Sequence, residues 1–148
     1  MSDPHDLARF VAAQDAGGTY DQALAELRRG QKSGHWMWFV FPQVAGLGSS
    51  PTSVRYAISS LDEARAYLSH PVLGPRLMES VHALLSLDGN DPVAVLGGID
   101  AHKLQSSMTL FDQAAPQEPW FTAVLDRYYA GARDSATTSI LGRSSGGA

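Results

Sequence analysis

Gly34-His35-Trp36-Met37-Trp38-Phe39-Val40-Phe41-Pro42-Gln43 decides how the rest of the chain is read. It carries two of the three tryptophans and two of the five phenylalanines. Residues 36–41 are apolar without a break, so neither a helical nor an alternating polarity marks them, and the segment is expected to be covered on all sides. At ~25 cal/mol per Å² and ~150–250 Å² for each large ring, the decapeptide represents roughly ten kcal/mol or more of gross burial. It is too short to cross a bilayer, which takes ~20 residues. Its aromatic content favours a strand over a helical turn, and Pro42 ends either one.

The ends of this slab are polar. His35 and Gln43 bracket it, and the indole N–H groups of Trp36 and Trp38 need partners when buried. An aromatic wall with a few convergent polar groups is the usual make-up of a small-molecule site. The simpler reading is core, with His35 a structural histidine.

On the N-terminal side, Asp3-Pro4 starts a helix with Leu7, Phe10 and Val11 on one face, ended by Gly17-Gly18. Thr19 and Gln22 fit a capping box for a second helix that buries Leu24 and Leu27 and stops at Gly30. Arg28 and Arg29 then complement the dipole of its last turn, with Lys32 close by. On the C-terminal side, residues 44–53 form a small-residue loop. Its Gly46-x-Gly48 lacks the further glycine of a dinucleotide fingerprint, where Pro51 stands, and has no P-loop lysine.

Val54, Tyr56 and Ile58 alternate, which allows a short strand over 53–58 pairing with 36–41. Helical stripes follow: Leu61, Ala64, Tyr67 and Leu68 behind a Ser60/Glu63 capping box; Leu77, Val81, Leu84 and Leu85; Leu104, Met108 and Phe111 behind Asp100 as a cap. A short helix opens at Asp91-Pro92, another helix runs from Pro119 to Gly131, and a last one follows Asp134. The fold expected is mainly α: a single compact multi-helix domain over residues 3–141, with at most one short two-stranded element, then a flexible Gly/Ser tail over 142–148.

With 148 residues, 44% hydrophobic and 18% charged, the chain has the length and composition of one globular domain rather than a disordered one. The absence of cysteine excludes disulfides, thiolate zinc sites and thiol catalysis. A formal net charge of −4 argues against general binding to nucleic acid. No His-Glu-x-x-His, EF-hand loop or helically spaced histidine pair is present, so no metal and no cofactor is expected. Met1–Asp6 lacks the basic and apolar parts of a signal peptide, and a cytoplasmic location is expected. Lys103, Ser106 and Ser107 lie within one helical turn. The Ser-x-x-Lys order of a nucleophile–base pair is missing, and small hydroxyls more often permit close helix packing.

Three segments together resemble the bacterial family known as domain of unknown function 1810, some members of which carry the label calpastatin. They are the decapeptide above; Arg55-Tyr56-Ala57-Ile58-Ser59-Ser60 with Glu63-Ala64 and Tyr67-Leu68; and Lys103-Leu104-Gln105-Ser106-Ser107-Met108-Thr109-Leu110-Phe111. The similarity extends from Asp3 to Leu141, and within the family the chain is similar to a mycobacterial conserved hypothetical protein. The resemblance implies a compact, mainly α-helical domain and supplies no reaction. The calpastatin label does not fit, because calpastatins are long disordered chains and this sequence is rich in core residues.

The family's hallmark polar positions fall here on His35, Gln43, Arg55, Lys103, Ser106, Ser107 and Thr109. Converging against Trp36 and Trp38, they would make a cationic, hydroxyl-lined pocket for a phosphorylated or nucleotide-like ligand. In that arrangement His35 is the proton-transfer candidate, Arg55 and Lys103 hold the anion, and Gln43 and Ser107 orient the ligand. The alternative is a non-enzymatic protein-interaction or regulatory module in which the aromatic stretch is only core.

Overall fold

The computed structural model describes residues 3–146, with side chains as far as Gly142. Its helices are α1 Ala8–Asp15, α2 Thr19–Arg29, α3 Met37–Val40, α4 Pro51–Arg55, α5 Leu61–Ser69, α6 Leu73–Leu85, α7 Pro92–Leu96, α8 Gly98–Ala114, α9 Pro119–Tyr129 and α10 Ser135–Gly146. A 3₁₀ turn, Ala16–Gly18, joins α1 to α2. The fold is all-α, and among the described residues the only β pairing outside the helices is one isolated parallel bridge between Val44 and Ile58.

α8 is the axis. Leu104, Ser106, Ser107, Met108, Thr109, Leu110, Phe111 and Asp112 are all buried, so the helix has no solvent stripe along its middle and must be surrounded. It packs against α5, α7, α9 and α10. A chain of rings crosses the core beside it. Phe10 meets Tyr67 edge-on at 5.2 Å, Tyr67 lies 5.5 Å from Phe111, and Phe111 lies 5.6 Å from Phe121. α5 and α6 approach so closely that a Cβ on Gly74 would stand 2.2 Å from the Leu68 carbonyl oxygen.

Two expectations are corrected at the decapeptide. Residues 36–41 are not a strand paired with 53–58: Met37–Val40 is a helical turn, with the Phe41 N–H donating to the Met37 carbonyl at 3.1 Å. Nor is the segment covered on all sides. Trp36, Met37, Val40 and Phe41 are buried, whereas Trp38 and Phe39 reach the surface, which is helical spacing that an unbroken apolar run cannot display. On the other side, Ser50 and Pro51 set a short helix instead of a strand. The Ser50 hydroxyl accepts from the Ser53 N–H and Pro51 takes the first helical position. What remains of the pairing is a pinch displaced by a few residues: Ile58 N–H to the Gln43 carbonyl and Ala45 N–H to the Ile58 carbonyl, each 2.8 Å.

The caps are partly as expected. Asp91 receives the Val93 and Ala94 N–H groups, and Ser60 receives that of Glu63. Thr19, by contrast, turns its hydroxyl back to the Ala16 carbonyl, and Asp100 caps nothing. Asp3 serves α1 from a distance, accepting from the Leu7 and Ala8 N–H groups. The Gly/Ser segment 142–148 is helical in backbone as far as Gly146, and residues 147 and 148 lie outside the described residues. No helix among the described residues is long and apolar enough to cross a membrane.

Candidate functional site

A carboxylate builds the scaffold of the site. Glu26, in the last turns of α2, is buried, and its Oε1 accepts from the Ser33 N–H at 2.7 Å, the Gly34 N–H at 2.9 Å and the Trp36 indole N–H at 2.9 Å. Its Oε2 accepts from the Gln22 amide at 2.8 Å. Burial alone would raise the pKa of this acid. The Gly34 and Ser33 N–H groups, with Gln22 and Trp36, outweigh that and bring it down to about 2. Space at 34 is tight: a Cβ there would lie 3.0 Å from the Trp36 ring and 3.1 Å from the Gln22 amide nitrogen. The loop leading to the tryptophans is therefore fixed from beneath by one charge.

Lys32 extends this scaffold towards α8. Its N–H donates to the Val95 carbonyl at 2.8 Å, and its ammonium stands 2.7 Å from Asp100. Lys103, one turn further along α8, stands 3.1 Å from the same carboxylate and 4.0 Å above the Trp38 ring. Two ammonium groups thus share one acid, and the Lys103 charge spreads over an indole face. Burial would raise the Asp100 pKa, but hydrogen bonds from Lys32 and Lys103 lower it below the ordinary carboxylate value.

Beside this cluster opens a cavity of about 480 Å³ lined by Trp38, Gln43, Leu47, Gly48, Ile99, His102, Lys103 and Ala136. A smaller one of about 200 Å³ adjoins it across Trp38, Gln43, Leu47 and Gly48. The larger volume lies within the ~300–1,000 Å³ of ordinary ligand sites, and the lining is mainly apolar with a few polar groups, as such sites are. His102 enters the lining with its Nε2 3.2 Å from Asp134, a buried carboxylate that also receives the Thr137 N–H and hydroxyl at the start of α10. Among the described residues no group of three His, Asp or Glu side chains has the arrangement of a metal site.

A model of the family described as "protein of unknown function (DUF1810)" matches residues 4–141. The chain belongs to this family. Among solved structures, the crystal structure of the conserved hypothetical protein Rv1873 from Mycobacterium tuberculosis is similar to it, with 51% sequence identity and a TM-score of 0.90 over 94% of this chain and 98% of that one. Among curated proteins none matches.

The polar positions singled out through the DUF1810 resemblance part company in space. Trp38, Gln43 and Lys103 meet in the cavity. Trp36 lies beneath it as core, with its N–H on Glu26. His35 is exposed and lines neither of the two adjoining cavities. Arg55, at the end of α4, opens on a separate groove with His5, Asp6, Arg9 and Glu63, and its guanidinium lies 5.6 Å from the Tyr56 ring. Ser106 and Thr109 face the other way along α8, Ser106 onto the Thr137 hydroxyl at 3.0 Å and Thr109 onto the Gln105 carbonyl and the Asp134 N–H. They seat the start of α10. Ser107 is fully buried and its hydroxyl has no partner among the described residues.

The candidate site also has members that sequence reading passed over. Lys32 stands in a cluster that the α2 dipole explained, and Asp100 fits a cap it does not make. His102 lies two residues from Asp100, the one signal available for it. Its real partner, Asp134, is distant in sequence, and nothing local links the two. Ile99, 78% exposed at the cavity's edge, breaks the usual polarity of a helix's first turn.

Proposed function

We propose that this DUF1810 protein binds a small anionic, nucleotide-like ligand in the cavity between Trp38 and the first turns of α8. One observation carries the reading: Lys103 is held over the Trp38 ring while sharing Asp100 with Lys32, which leaves one ammonium charge in excess beside an aromatic wall. The nearby Asp134 charge is divided between the start of α10, where the Thr137 N–H and hydroxyl donate to Oδ2, and His102, which stands between Oδ1 and the cavity. Arg55 and His35 are not needed. Should turnover accompany binding, His102 is the histidine placed within the lining to move a proton.

A thermal-shift series with nucleotides and sugar phosphates tests this, on wild type and on Lys103→Met. A ligand at ~100 times its dissociation constant adds ~2.7 kcal/mol, enough to raise the melting point by several degrees. The expected result is a shift with at least one phosphorylated compound that Lys103→Met reduces. No shift with any of them in a folded wild type would sink the proposal.

A second reading has its own support. Ile99 and Val54, the latter 62% exposed, stand at the rims of the two adjoining cavities, and such apolar rims suit a protein-interaction module. Under that reading the melting point is indifferent to every small anion.

A further inference from the structure

Gln43 is 8% exposed, yet its side-chain amide makes no hydrogen bond among the described residues. The rest of the residue is firmly placed. Its carbonyl accepts from Ile58 at 2.8 Å, at the pinch that closes the following loop, and Pro42 precedes it. The amide is therefore not a loose surface group that happens to be covered. It lines both the 480 Å³ cavity and the 200 Å³ one beside it. Trp38, which also lines both, likewise has an indole N–H without a partner among the described residues, whereas the buried Trp36 N–H is taken up by Glu26. Other amides near the core are used: Gln14 reaches the Phe39 carbonyl and Tyr67, and Gln22 reaches Glu26.

We infer that Gln43 is the recognition edge of the cavity, and that the ligand presents to it a planar edge with a hydrogen-bond donor beside an acceptor, as a carboxamide or a nucleobase does. This rests on the reading of the cavity as an anion-binding site and adds what stands at the other end of the ligand. A glutamine amide offers two donor hydrogens and an accepting oxygen in one plane, so it pairs with a mirror-image amide edge through two bonds at once. A sugar phosphate without a base or carboxamide offers hydroxyls to Lys103 and its surroundings, but no flat edge to Gln43. Taking a polar group out of water without pairing it is unfavourable, so a wall that presents the Gln43 amide to the cavity selects the ligand that pairs it. Lys103 supplies affinity for charge, and Gln43 supplies the choice among ligands that carry it.

The test compares adenosine, guanosine, cytidine and uridine 5′-monophosphates and nicotinamide mononucleotide with ribose 5-phosphate, by calorimetric titration of the full chain. Wild type, Gln43→Met and Lys103→Met are each checked for an unchanged circular dichroism spectrum. The expected result is that at least one ring-bearing phosphate binds about tenfold or more tightly than ribose 5-phosphate, the gain of two well-formed hydrogen bonds. Gln43→Met should remove that gap, and Lys103→Met should weaken both classes of ligand; a gap that persists in Gln43→Met overturns the recognition edge. On wild type alone, nitrogen-15 spectra should show the Gln43 amide resonances moving with the preferred compound and not with ribose 5-phosphate. If ribose 5-phosphate binds as well as every ring-bearing compound, or the Gln43 resonances stay in place, the recognition edge is overturned while the anion site stands. If nothing binds, both fall together.

Discussion

Replacing Glu26 by glutamine changes one functional group under the tryptophan loop, and its consequence can be worked through. In wild type Oε1 accepts three hydrogen bonds, from Ser33, Gly34 and Trp36. Hydrogen bonds to an ionised acceptor contribute ~1.5–3 kcal/mol each against ~0.5–1.5 for neutral ones, so neutralising the acceptor of three removes roughly 3–4.5 kcal/mol. The neutral side chain is easier to bury, which returns part of this, and the expected net cost of Glu26→Gln is about 1–3 kcal/mol. Glu26→Ala should cost about 3–5 kcal/mol, since the buried Trp36 N–H then has no acceptor at all.

The pH dependence gives a sharper test. The Glu26 pKa falls from 4.5 to about 2 on folding, so its stabilisation is fully present above 4.5 and is lost as pH falls towards 2. Urea unfolding followed by tryptophan fluorescence should show the gap between wild type and Glu26→Gln at full size at neutral pH, shrinking in that acid window. A gap within about 0.5 kcal/mol at neutral pH, the scatter of an ordinary surface substitution, refutes the assignment. So does a large gap that stays constant down to the acid limit.

Two further outcomes follow from buried contacts. Ser107→Ala removes a buried hydroxyl that has no partner, so the melting point should stay level or rise, with a change inside about 1 kcal/mol; a clear loss would mean that the hydroxyl makes an unseen bond. Gly74→Ala drives a Cβ against the Leu68 carbonyl, which is backbone and cannot step aside, so it should cost about 1–3 kcal/mol or more in chemical denaturation, and a neutral result would contradict the tight α5–α6 approach.

The parts of the fold that could be read in advance are those where two local signals agree. α5 has both a serine cap and an apolar stripe, and α7 has Asp91-Pro92 before it and Gly97 after it; both formed near their expected places. The decapeptide offered only hydrophobicity, which does not distinguish a strand from a turn of helix, and the arrangement was settled by which rings found room in the core. Residues 44–53 read as a loop and the alternation of Val54, Tyr56 and Ile58 as a strand, so the Ser50-Pro51 cap that starts α4 was passed over; a cap with a proline behind it proved the stronger local determinant. Of the positions expected to converge, Trp38, Gln43 and Lys103 line one cavity, and Arg55 and His35 lie elsewhere. A list of polar positions along a helix does not say which face each occupies: Lys103 faces the cavity while Ser106, less than one turn away, faces α10. The pairs Lys32 with Asp100 and His102 with Asp134 depend on helices brought together by the core, and no local pattern encodes them.

The pinch at Val44 and Ile58 has a consequence for how this protein can vary. Two main-chain hydrogen bonds fasten the loop at its base, and the Arg9 guanidinium holds its returning limb through the Arg55 and Ala57 carbonyls, so the chain before that limb hangs from fixed points. Leu47, Gly48 and Ser53 sit on that suspended segment and also shape the cavity wall. Loop-closure entropy rises only slowly with length, so an insertion after Ser49 should leave the melting point nearly unmoved while redrawing the chamber beside Gln43. The knot and the wall are separate parts, which gives this scaffold a place where the shape of the cavity can drift without disturbing the core that α8 holds together.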